Sequence, residues 1–437
     1  MSEPAGLDYW TTLRPETGLV RSVGVHRPDG QTSLLWAVGA DIGQRDESIR
    51  QPADERALAI VGACGLSRAD AFVRAAGEAV ERYALLPRSG LGSPPADAQD
   101  ISAGALWAPS GIVAGTRYPG ARISTGTPCS VLAGLVDYPA RALDSLGCDP
   151  TPSGAAAGGS PRRALRAACR EVLERDAAMI AWYRRARLPR VPLDAVADRS
   201  AAADNGAAAD NGAVADNGAV ARPPATATLT RLLNAAESAG LDVRAATAPT
   251  SLPGVGTVIA VALDPCHQLV SAGLGLADSW VASASRAVQE SLQVWALLRS
   301  AAERAARPAA AESVRTDADR ARYCRGPQAY AAALAWTDAF VPADAGSCCT
   351  DPCPDDPAVI LPSAVAVPLT ARLPGRIVRG GWHAVKALSS EHQPLRMNET
   401  LDWTFHPGRL RAPESEWNLD CLIEADAVHE VEPHPFI

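Results

Sequence analysis

Two segments of the sequence repeat one arrangement of carboxylates and a guanidinium. In a helix, residues three and four positions apart share a face, so each segment would present two glutamates and one arginine together. A single motif of this kind usually forms a solvated, salt-bridging face. Its duplication, on stretches otherwise rich in alanine and apolar residues, indicates that the charged faces contact water, a partner or an internal polar cavity. The segments are Glu78-Ala79-Val80-Glu81-Arg82 and Glu171-Val172-Leu173-Glu174-Arg175.

The chemistry that such a cavity supports is the binding of magnesium and phosphate. Four carboxylates would repel one another, and the phosphates of a nucleotide, unless divalent cations lie between them. Mg2+ suits this position because it is usually bound through a few carboxylates together with substrate phosphates. Arg82 and Arg175 would neutralise phosphate oxygens. A P-loop is excluded, because the only lysine of the chain, Lys386, does not lie in a Gly-Lys-Ser/Thr motif.

Periodicity predicts three long helices that carry most of these polar residues. Apolar residues recur at helical spacing over residues 67–86, over 160–187 and from about 279 to 305. Ser67 and Ser160 are the expected N-caps of the first two helices. These helices are the elements that would bring the carboxylates to one site.

Strands are predicted between and beyond the helices. Residues 18–42 alternate around a turn at 28–30, which predicts a strand pair. An apolar strand is predicted at 255–263, after a short helix near 229–239, and further strands are predicted beyond Val378, before an irregular acidic tail. Interleaved helices and strands indicate an α/β fold.

Composition and charge narrow the class of protein. The 437 residues are 47% hydrophobic and 21% charged, as in soluble globular proteins. The net charge is −8, with arginines scattered among acidic residues, so no surface for nucleic acid or an anionic membrane is expected. The sequence carries no recognisable signal peptide and no stretch apolar enough to span a membrane, which predicts a cytoplasmic protein with reduced cysteines.

Two segments of unusual composition are expected to lie outside the core. Residues 201–221 repeat Ala-Asp-Asn-Gly without an aromatic or long aliphatic side chain, which predicts a disordered surface insertion. Calcium binding by this repeat is disfavoured because the further oxygen ligands and the terminal Glu of a calcium loop are missing. The cluster of Cys348, Cys349 and Cys353 is interpreted as a Pro/Asp-rich loop; a zinc site is the less favoured alternative, because no paired C-x-x-C motif accompanies it.

The two Glu-x-x-Glu-Arg motifs resemble those of the YcaO family, together with the glycine- and alanine-rich segment 154–158 ahead of the second motif and Asp176 directly after it. A third element of the family, Ser-x6-Glu-x2-Gln, is matched by Ser283, Glu290 and Gln293. The resemblance extends from about Tyr9 to the C-terminus. It implies one YcaO-like α/β domain over residues 1–437, with mixed sheets and long helices around a central nucleotide cavity.

By this resemblance, the site binds ATP and Mg2+. Glu78, Glu81, Glu171 and Glu174 would hold magnesium and phosphates, Arg82 and Arg175 would lie at or behind them, and Ser283, Glu290 and Gln293 would contact the nucleotide. Three positions depart from the family pattern. Cys64 stands where Gly-Lys-Gly is common, Arg74 where a serine is common, and Ser153 where Ser-Asn-Gly is common. All three bear on contacts with the nucleotide.

The resemblance also implies a reaction and a role for the C-terminus. Azoline-forming members convert Cys, Ser or Thr of a ribosomal precursor peptide to thiazoline or oxazoline, as in thiopeptide and linear azole pathways. They carry a Pro-x-Pro-x-Pro end that enters the active site. Residues 430–437 form a similar tail, in which Pro433 and Pro435 match and Ile437 replaces the last proline. We interpret these three residues as part of the catalytic site and expect the tail to add little to the stability of the core.

The expected partners are a separate ThiF-like or leader-peptide-binding protein, a flavin azoline dehydrogenase in the pathway, and a second copy of the chain in a homodimer. Two alternatives stay open at this point. One is another ATP-dependent amide activation that yields a thioamide or a macrocyclic amidine. The other is a non-catalytic scaffold that has kept the fold while its nucleotide site decayed.

Overall fold

The computed structural model describes residues 7–30, 33–43, 60–87, 90–101, 115–140, 149–193, 225–300, 307–343 and 351–437. Within these ranges the chain forms ten α-helices and twelve strands. The helices are α1 Tyr9–Thr12, α2 Arg68–Leu85, α3 Pro161–Tyr183, α4 Ala225–Ser238, α5 Trp280–Leu298, α6 Asp317–Tyr323, α7 Pro327–Asp338, α8 Pro357–Ile360, α9 Gly375–Arg379 and α10 Ala412–Ser415. The strands are β1 Ser22–His26, β2 Trp36–Asp41, β3 Ile60–Gly65, β4 Gln99–Ile101, β5 Arg117–Arg122, β6 Pro128–Leu132, β7 Ala155–Gly158, β8 Asp242–Pro249, β9 Gly256–Asp264, β10 Leu269–Gly275, β11 Val365–Pro368 and β12 His383–Leu388.

The strands form three sheets in the described part of the chain. Two are antiparallel and three-stranded, in the orders β1-β2-β3 and β10-β9-β8. The third has the order β4-β6-β5-β11-β12-β7 and is antiparallel except for the parallel pair β4 and β6. The predicted α/β class with mixed sheets is confirmed.

Each of the three long helices packs on a sheet. Helix α2 lies against β3 and β2, α3 against β12 and β7, and α5 against β10 and β9. Small residues allow these helices to lie close to their sheets. A Cβ atom at Gly275 would clash with the carbonyl oxygen of Ser283 on α5, so glycine lets this helix lie directly on β10.

The long helices begin where their caps predict. The side chains of Ser67 and Ser160 accept backbone N–H bonds from Asp70 and Arg163, and Ser279 caps α5 in the same way. The strand pair predicted over residues 18–42 is confirmed as β1 and β2. Only one strand, β12, forms beyond Val378, and the rest of the described tail consists of turns and short helices.

The second long helix ends earlier than predicted, at Tyr183 rather than at residue 187. Arg185 adopts a φ of 48°, which no helical residue has. Arg184 is buried and donates from Nε to the carbonyl oxygen of Ile423 at 2.7 Å. Contacts with the C-terminal segment therefore end a helix that its local sequence would have continued.

Among the described residues, no helix is both long and apolar enough to cross a bilayer. The repeat at 201–221 and the residues Cys348 and Cys349 lie outside the described ranges. Cys353 is described and is buried.

Candidate nucleotide and magnesium site

The first motif lies on a partly exposed face of α2. Ala75, Ala79 and Val80 are buried, whereas the Glu78 and Glu81 side chains keep 31% and 18% of their surface accessible. Arg82 Nε lies 2.8 Å from Glu78 Oε1 and 3.9 Å from Glu81 Oε1. The pentad thus presents its three charged groups together, as the helical spacing predicts.

The second motif lies in the middle of α3 and faces the same space. Arg175 Nε is 3.7 Å from Glu171 Oε1. The same arginine reaches across to α5, where its Nη2 lies 3.7 Å from Glu290 Oε1. Arg175 therefore joins the second motif to the third predicted element.

Two carboxylates of the site also accept hydrogen bonds from the backbone at the end of β10. The N–H of Leu274 donates to Glu290 Oε2 at 2.9 Å, and the N–H of Leu276 donates to Glu174 Oε1 at 2.5 Å. Charge-assisted bonds of this kind are stronger than neutral ones. They fix the segment around Gly275 between α3 and α5.

The pKa values indicate that the three helices converge. Burial, and then the charges of Glu78 and Glu171, raise the pKa of Glu81 well above its usual range. Burial raises the pKa of Glu171 to about 7 and that of Glu174 to about 7, although arginines oppose both shifts. Burial also raises the pKa of Glu290, and Glu78 on α2 adds to the effect. Carboxylates from α2, α3 and α5 therefore act on one another.

The arrangement fits magnesium held together with phosphates. Five carboxylates and two arginines share the site, and three of the four ion-pair separations, at 3.7–3.9 Å, are too long for hydrogen bonds. Within the described ranges, no three His, Cys, Asp or Glu side chains converge as a complete protein metal site. Mg2+ does not need one, since it is commonly held by one or two carboxylates with phosphate and water oxygens.

Ser283 and Gln293 make contacts within the protein. The buried Ser283 hydroxyl donates to the Ser279 carbonyl at 3.1 Å and accepts from the N–H of Ala277 at 2.9 Å. The Gln293 side chain accepts from the N–H of Cys64 at 2.8 Å and donates to the Gly62 carbonyl at 3.2 Å. Gln293 thus ties α5 to strand β3, across the two three-stranded sheets.

The three positions that depart from the family pattern have different surroundings. Cys64 is buried in β3, and burial raises its pKa to about 12, so it is a neutral thiol. Arg74 pairs with Asp70 at 3.1 Å, and its charge is among those that counteract the raised pKa of Glu290. Arg74 therefore brings a further cation to the edge of the carboxylate cluster. The N–H of Ser153 donates to Thr151 Oγ1 at 3.2 Å, in the turn before β7.

Lys386, which no motif singles out, is buried in β12, where it interacts electrostatically with Glu171 and Arg82. Its ammonium group is fully buried and donates to the carbonyl oxygens of Thr151 at 2.5 Å and Val136 at 3.3 Å. Burial lowers its pKa to about 8, while Asp137 and then Glu171 act in the opposite direction. The only sequence signal was a lone lysine in an apolar strand.

The C-terminal tail is threaded through the protein interior. Pro433, His434 and Pro435 are buried, Phe436 is 1% exposed, and Ile437 is partly buried. The expectation that the tail adds little to core stability was therefore wrong, because Phe436 belongs to the main hydrophobic core.

The tail packs against the end of α3, the helix that carries the second motif. Trp182 Nε1 donates to the Glu432 carbonyl at 2.7 Å, and the Tyr183 ring lies edge-on to His434 with centroids 6.2 Å apart. Burial, and then the charge of Arg320, lower the pKa of His434 well below its usual range, and Arg175 contributes to this shift. The tail is thus within electrostatic reach of the carboxylate site.

Comparison with known proteins identifies a family and similar folds. Residues 62–351 match the family described as YcaO cyclodehydratase, binding ATP and Mg2+. No curated protein sequence matches the chain significantly. The fold is similar to that of YcaO from Methanopyrus kandleri bound with AMPPCP and Mg2+, with a TM-score of 0.57 at 16% identity, covering 89% of this chain and 90% of that chain.

Two further structures share the fold. A heterocyclase in complex with substrate and cofactor has a TM-score of 0.64 at 15% identity; the match covers 98% of this chain but spans only 56% of that chain. The E. coli microcin synthetase McbBCD complex has a TM-score of 0.55 at 11% identity, with coverage of 94% and 96%. Because the family match extends over well more than half of the sequence, the chain belongs to the YcaO family of ATP- and Mg2+-binding cyclodehydratases.

Proposed function

We propose that this protein is an ATP-dependent cyclodehydratase that converts Cys, Ser or Thr residues of a ribosomal precursor peptide to thiazoline or oxazoline. The observation that carries the proposal is the convergence of five carboxylates and two arginines from α2, α3 and α5, close to a buried Pro-rich C-terminus. We further propose that residues 1–437 act as one YcaO-like domain.

In this proposal, Glu78, Glu81, Glu171 and Glu174 hold magnesium and, through it, the phosphates of ATP. Bound magnesium-ATP supplies the phosphoryl group that makes the oxygen of the attacked amide a leaving group. Arg82 and Arg175 neutralise negative charge on the phosphate side of the site. Glu290 completes the nucleotide side and holds the backbone at Leu274. Ser283 and Gln293 support its helix from within the protein, through Ala277 and strand β3.

The protein contributes positioning and electrostatics rather than a nucleophile. The thiol or hydroxyl of the substrate residue attacks the preceding amide carbon and loses its proton. Once the amide oxygen is phosphorylated, its bond to carbon breaks, phosphate leaves, and the amide nitrogen loses its proton to give the C=N bond of the ring. The carboxylates and arginines would hold the phosphate donor beside that amide. Burial of the surrounding helices strengthens each charge interaction, because the local dielectric constant is low. The raised pKa values of Glu171 and Glu174 reflect the same environment.

The tail would place Pro433, Pro435 and Ile437 at the peptide side of the site. The two prolines restrict the backbone to an extended form. His434 accepts from the N–H of Phe436 at Nδ1 and donates from Nε2 to the Arg396 carbonyl, so its neutral ring holds the tail in one path. A chain end fixed in this way can order the substrate amide.

The proposed partners are the precursor peptide, a separate ThiF-like or leader-binding protein, a flavin azoline dehydrogenase and a second copy of this chain. Support for a multiprotein system comes from the fold similarity to a microcin synthetase complex with pro-MccB17 bound, with a TM-score of 0.55 at 13% identity. The proposal places the reaction in the cytoplasm, where ribosomal peptides and ATP are both present.

The experiment is to incubate the purified chain with magnesium-ATP, a leader-binding partner and the precursor peptide encoded beside it. Loss of one water per modified residue, with one ATP consumed per ring, is the expected result. Exchange of oxygen for sulfur would instead indicate thioamide formation, and a loss of water that joins the N-terminal amine to the backbone would indicate a macrocyclic amidine. If the purified chain does not bind magnesium-ATP, the alternative of a non-catalytic scaffold protein would be favoured.

A further inference from the structure

Arg320 is a fully buried cation that hydrogen-bonds to the backbone of the C-terminal tail. Its guanidinium donates to the His434 carbonyl at 2.9 Å and to the carbonyls of Arg396 and Met397 at 2.8 and 3.0 Å. It also pairs with Glu399 Oε1 at 2.6 Å. One side chain thus holds the backbone of the tail and that of the loop beneath it.

Glu399 connects Arg320 to α3. It accepts from Tyr183 Oη at 2.6 Å and pairs with Arg396 Nη1 at 3.0 Å. Tyr183 is the last residue of α3, the helix that carries Glu171, Glu174 and Arg175. The position of the tail is therefore fixed relative to α3, the helix that forms one wall of the carboxylate site.

Helix α6, which carries Arg320, is also linked to the surroundings of the first motif on α2. Asp317, at the start of α6 and three residues before Arg320, accepts from Tyr138 Oη at 2.5 Å. The Tyr138 ring lies 6.0 Å from the Arg82 guanidinium of the first motif. The short helix α6 thus contacts the tail at one residue and the surroundings of Arg82 at another.

We propose that Arg320 is a positioning residue that sets the place of the C-terminal tail relative to the nucleotide site. It acts through the backbone of His434 and does not itself contact ATP. The effect on ring formation rests on the proposed function, whereas the hold on the tail does not. If Arg320 only stabilised the fold, its substitution would change the local stability of the tail and of the core equally in every variant that folds.

The matched variants are Arg320→Lys and Arg322→Lys. Lysine keeps the charge but cannot make the four bonds of the guanidinium fork. Arg322 lies on the same helix but pairs with Asp319 at 2.5 Å near the surface, so it is the control. If Arg320→Lys does not fold, Arg320→Met takes its place, because Glu399 then keeps its ion pair with the buried Arg396.

The first measurement needs no enzymatic activity. Carboxypeptidase is added to the folded, full-length chain, and release of Ile437 and Phe436 is followed by mass spectrometry. Release should be about tenfold faster or more in Arg320→Lys than in the wild type or Arg322→Lys, because bonds to a charged donor are lost. Equal release rates in all three proteins would overturn the proposal.

The second measurement separates positioning from general damage. Arg320→Lys should lower kcat for ring formation while the KM for ATP stays within about twofold, since the carboxylate site is untouched. A KM for ATP that rises as much as kcat falls would refute a positioning role. If even the wild type forms no rings, the proposed function fails, and the carboxypeptidase result alone still decides the role of Arg320.

Discussion

Arg175 on α3 and Glu290 on α5 face each other across the site, with Nη2 and Oε1 3.7 Å apart. They are far apart in the sequence, and their contact places the second Glu-x-x-Glu-Arg motif beside the Ser-x6-Glu-x2-Gln element. Glu290 also accepts the N–H of Leu274, so the pair joins two helices to the end of β10.

Removal of a carboxylate from the cluster should abolish ATP turnover without unfolding the protein. Glu171→Ala and Glu174→Ala each delete a proposed magnesium ligand from a cavity wall, and we expect kcat to fall by about 100-fold or more. The melting temperature of Glu171→Ala should hold or rise, because repulsion within the cluster is relieved. Glu174→Ala also loses the bond from the Leu276 N–H, so it should melt at a lower temperature but still fold. Glu237→Ala, at an exposed site on α4, is the control and should behave as wild type. Full ATP consumption by either cluster variant would refute the site assignment.

Magnesium binding should depend on pH near neutrality. The folded-state pKa values of Glu171 and Glu174 are raised from 4.5 to about 7, so the folded protein retains protons that the unfolded chain has lost. The stability that these groups contribute is therefore lost as pH rises from about 4.5 through about 7. Mg2+ competes with those protons.

The measurement is the rise in melting temperature caused by Mg2+ with a non-hydrolysable ATP analogue. The rise should be larger at about pH 8 than at about pH 6, and this difference should shrink in Glu174→Gln, which cannot titrate. Equal shifts at both pH values in the wild type would contradict the assignment of these carboxyls to the metal.

Lys386 should make the protein more stable as pH rises in the alkaline range. Its folded-state pKa is about 8 against 10.5 for an ordinary lysine, so the unfolded chain binds more protons between these values. The free energy of unfolding should rise by about 3 kcal/mol across this window, and the gain is absent below about pH 8. Urea unfolding of wild type and Lys386→Met measures it, and the variant should lack the slope.

The same pKa can be read directly. Because Lys386 is the only lysine, 15N-lysine labelling yields one side-chain ammonium signal to titrate. A midpoint near that of an exposed lysine would show that the ammonium is not enclosed as described.

Deletion of residues 201–221 should leave melting temperature and ATP turnover nearly unchanged. The segment has no aromatic or long aliphatic side chain to contribute to a core, and shortening a loop changes only its closure entropy. Thermal melting and ATP hydrolysis of the deleted and full-length proteins check this. Loss of folding on deletion would mean that the repeat has a structural role.

The C-terminus should tolerate neither removal nor extension. Deleting residues 433–437 removes the buried His434 and Phe436, so we expect a stability loss of about 3 kcal/mol or more in addition to loss of ring formation. A His tag after Ile437 tests the tail more gently, since it keeps those side chains. It should slow ring formation, whereas the same tag at the N-terminus should not, and equal rates for both tagged proteins would argue against a tail in the active site.

Local sequence determined the helices and the charged faces that they present. Helical periodicity and the serine caps depend on residues only three or four positions apart, so the grouping of Glu78, Glu81 and Arg82 could be predicted without a structure. The same holds for the pentad at Glu171–Arg175 and for the α/β class. Duplication of the motif also indicated that the two charged faces contact water, a partner or an internal polar cavity.

Only the tertiary structure decided what surrounds those faces. Three contacts join segments that are distant in sequence: the buried Lys386 with Thr151, Arg175 with Glu290, and Arg320 with the backbone of His434. No periodicity encodes such contacts, because they depend on how complete elements pack. The early end of α3 has the same origin, since Arg184 finds its hydrogen-bond acceptor in the C-terminal segment, where no local pattern could place it.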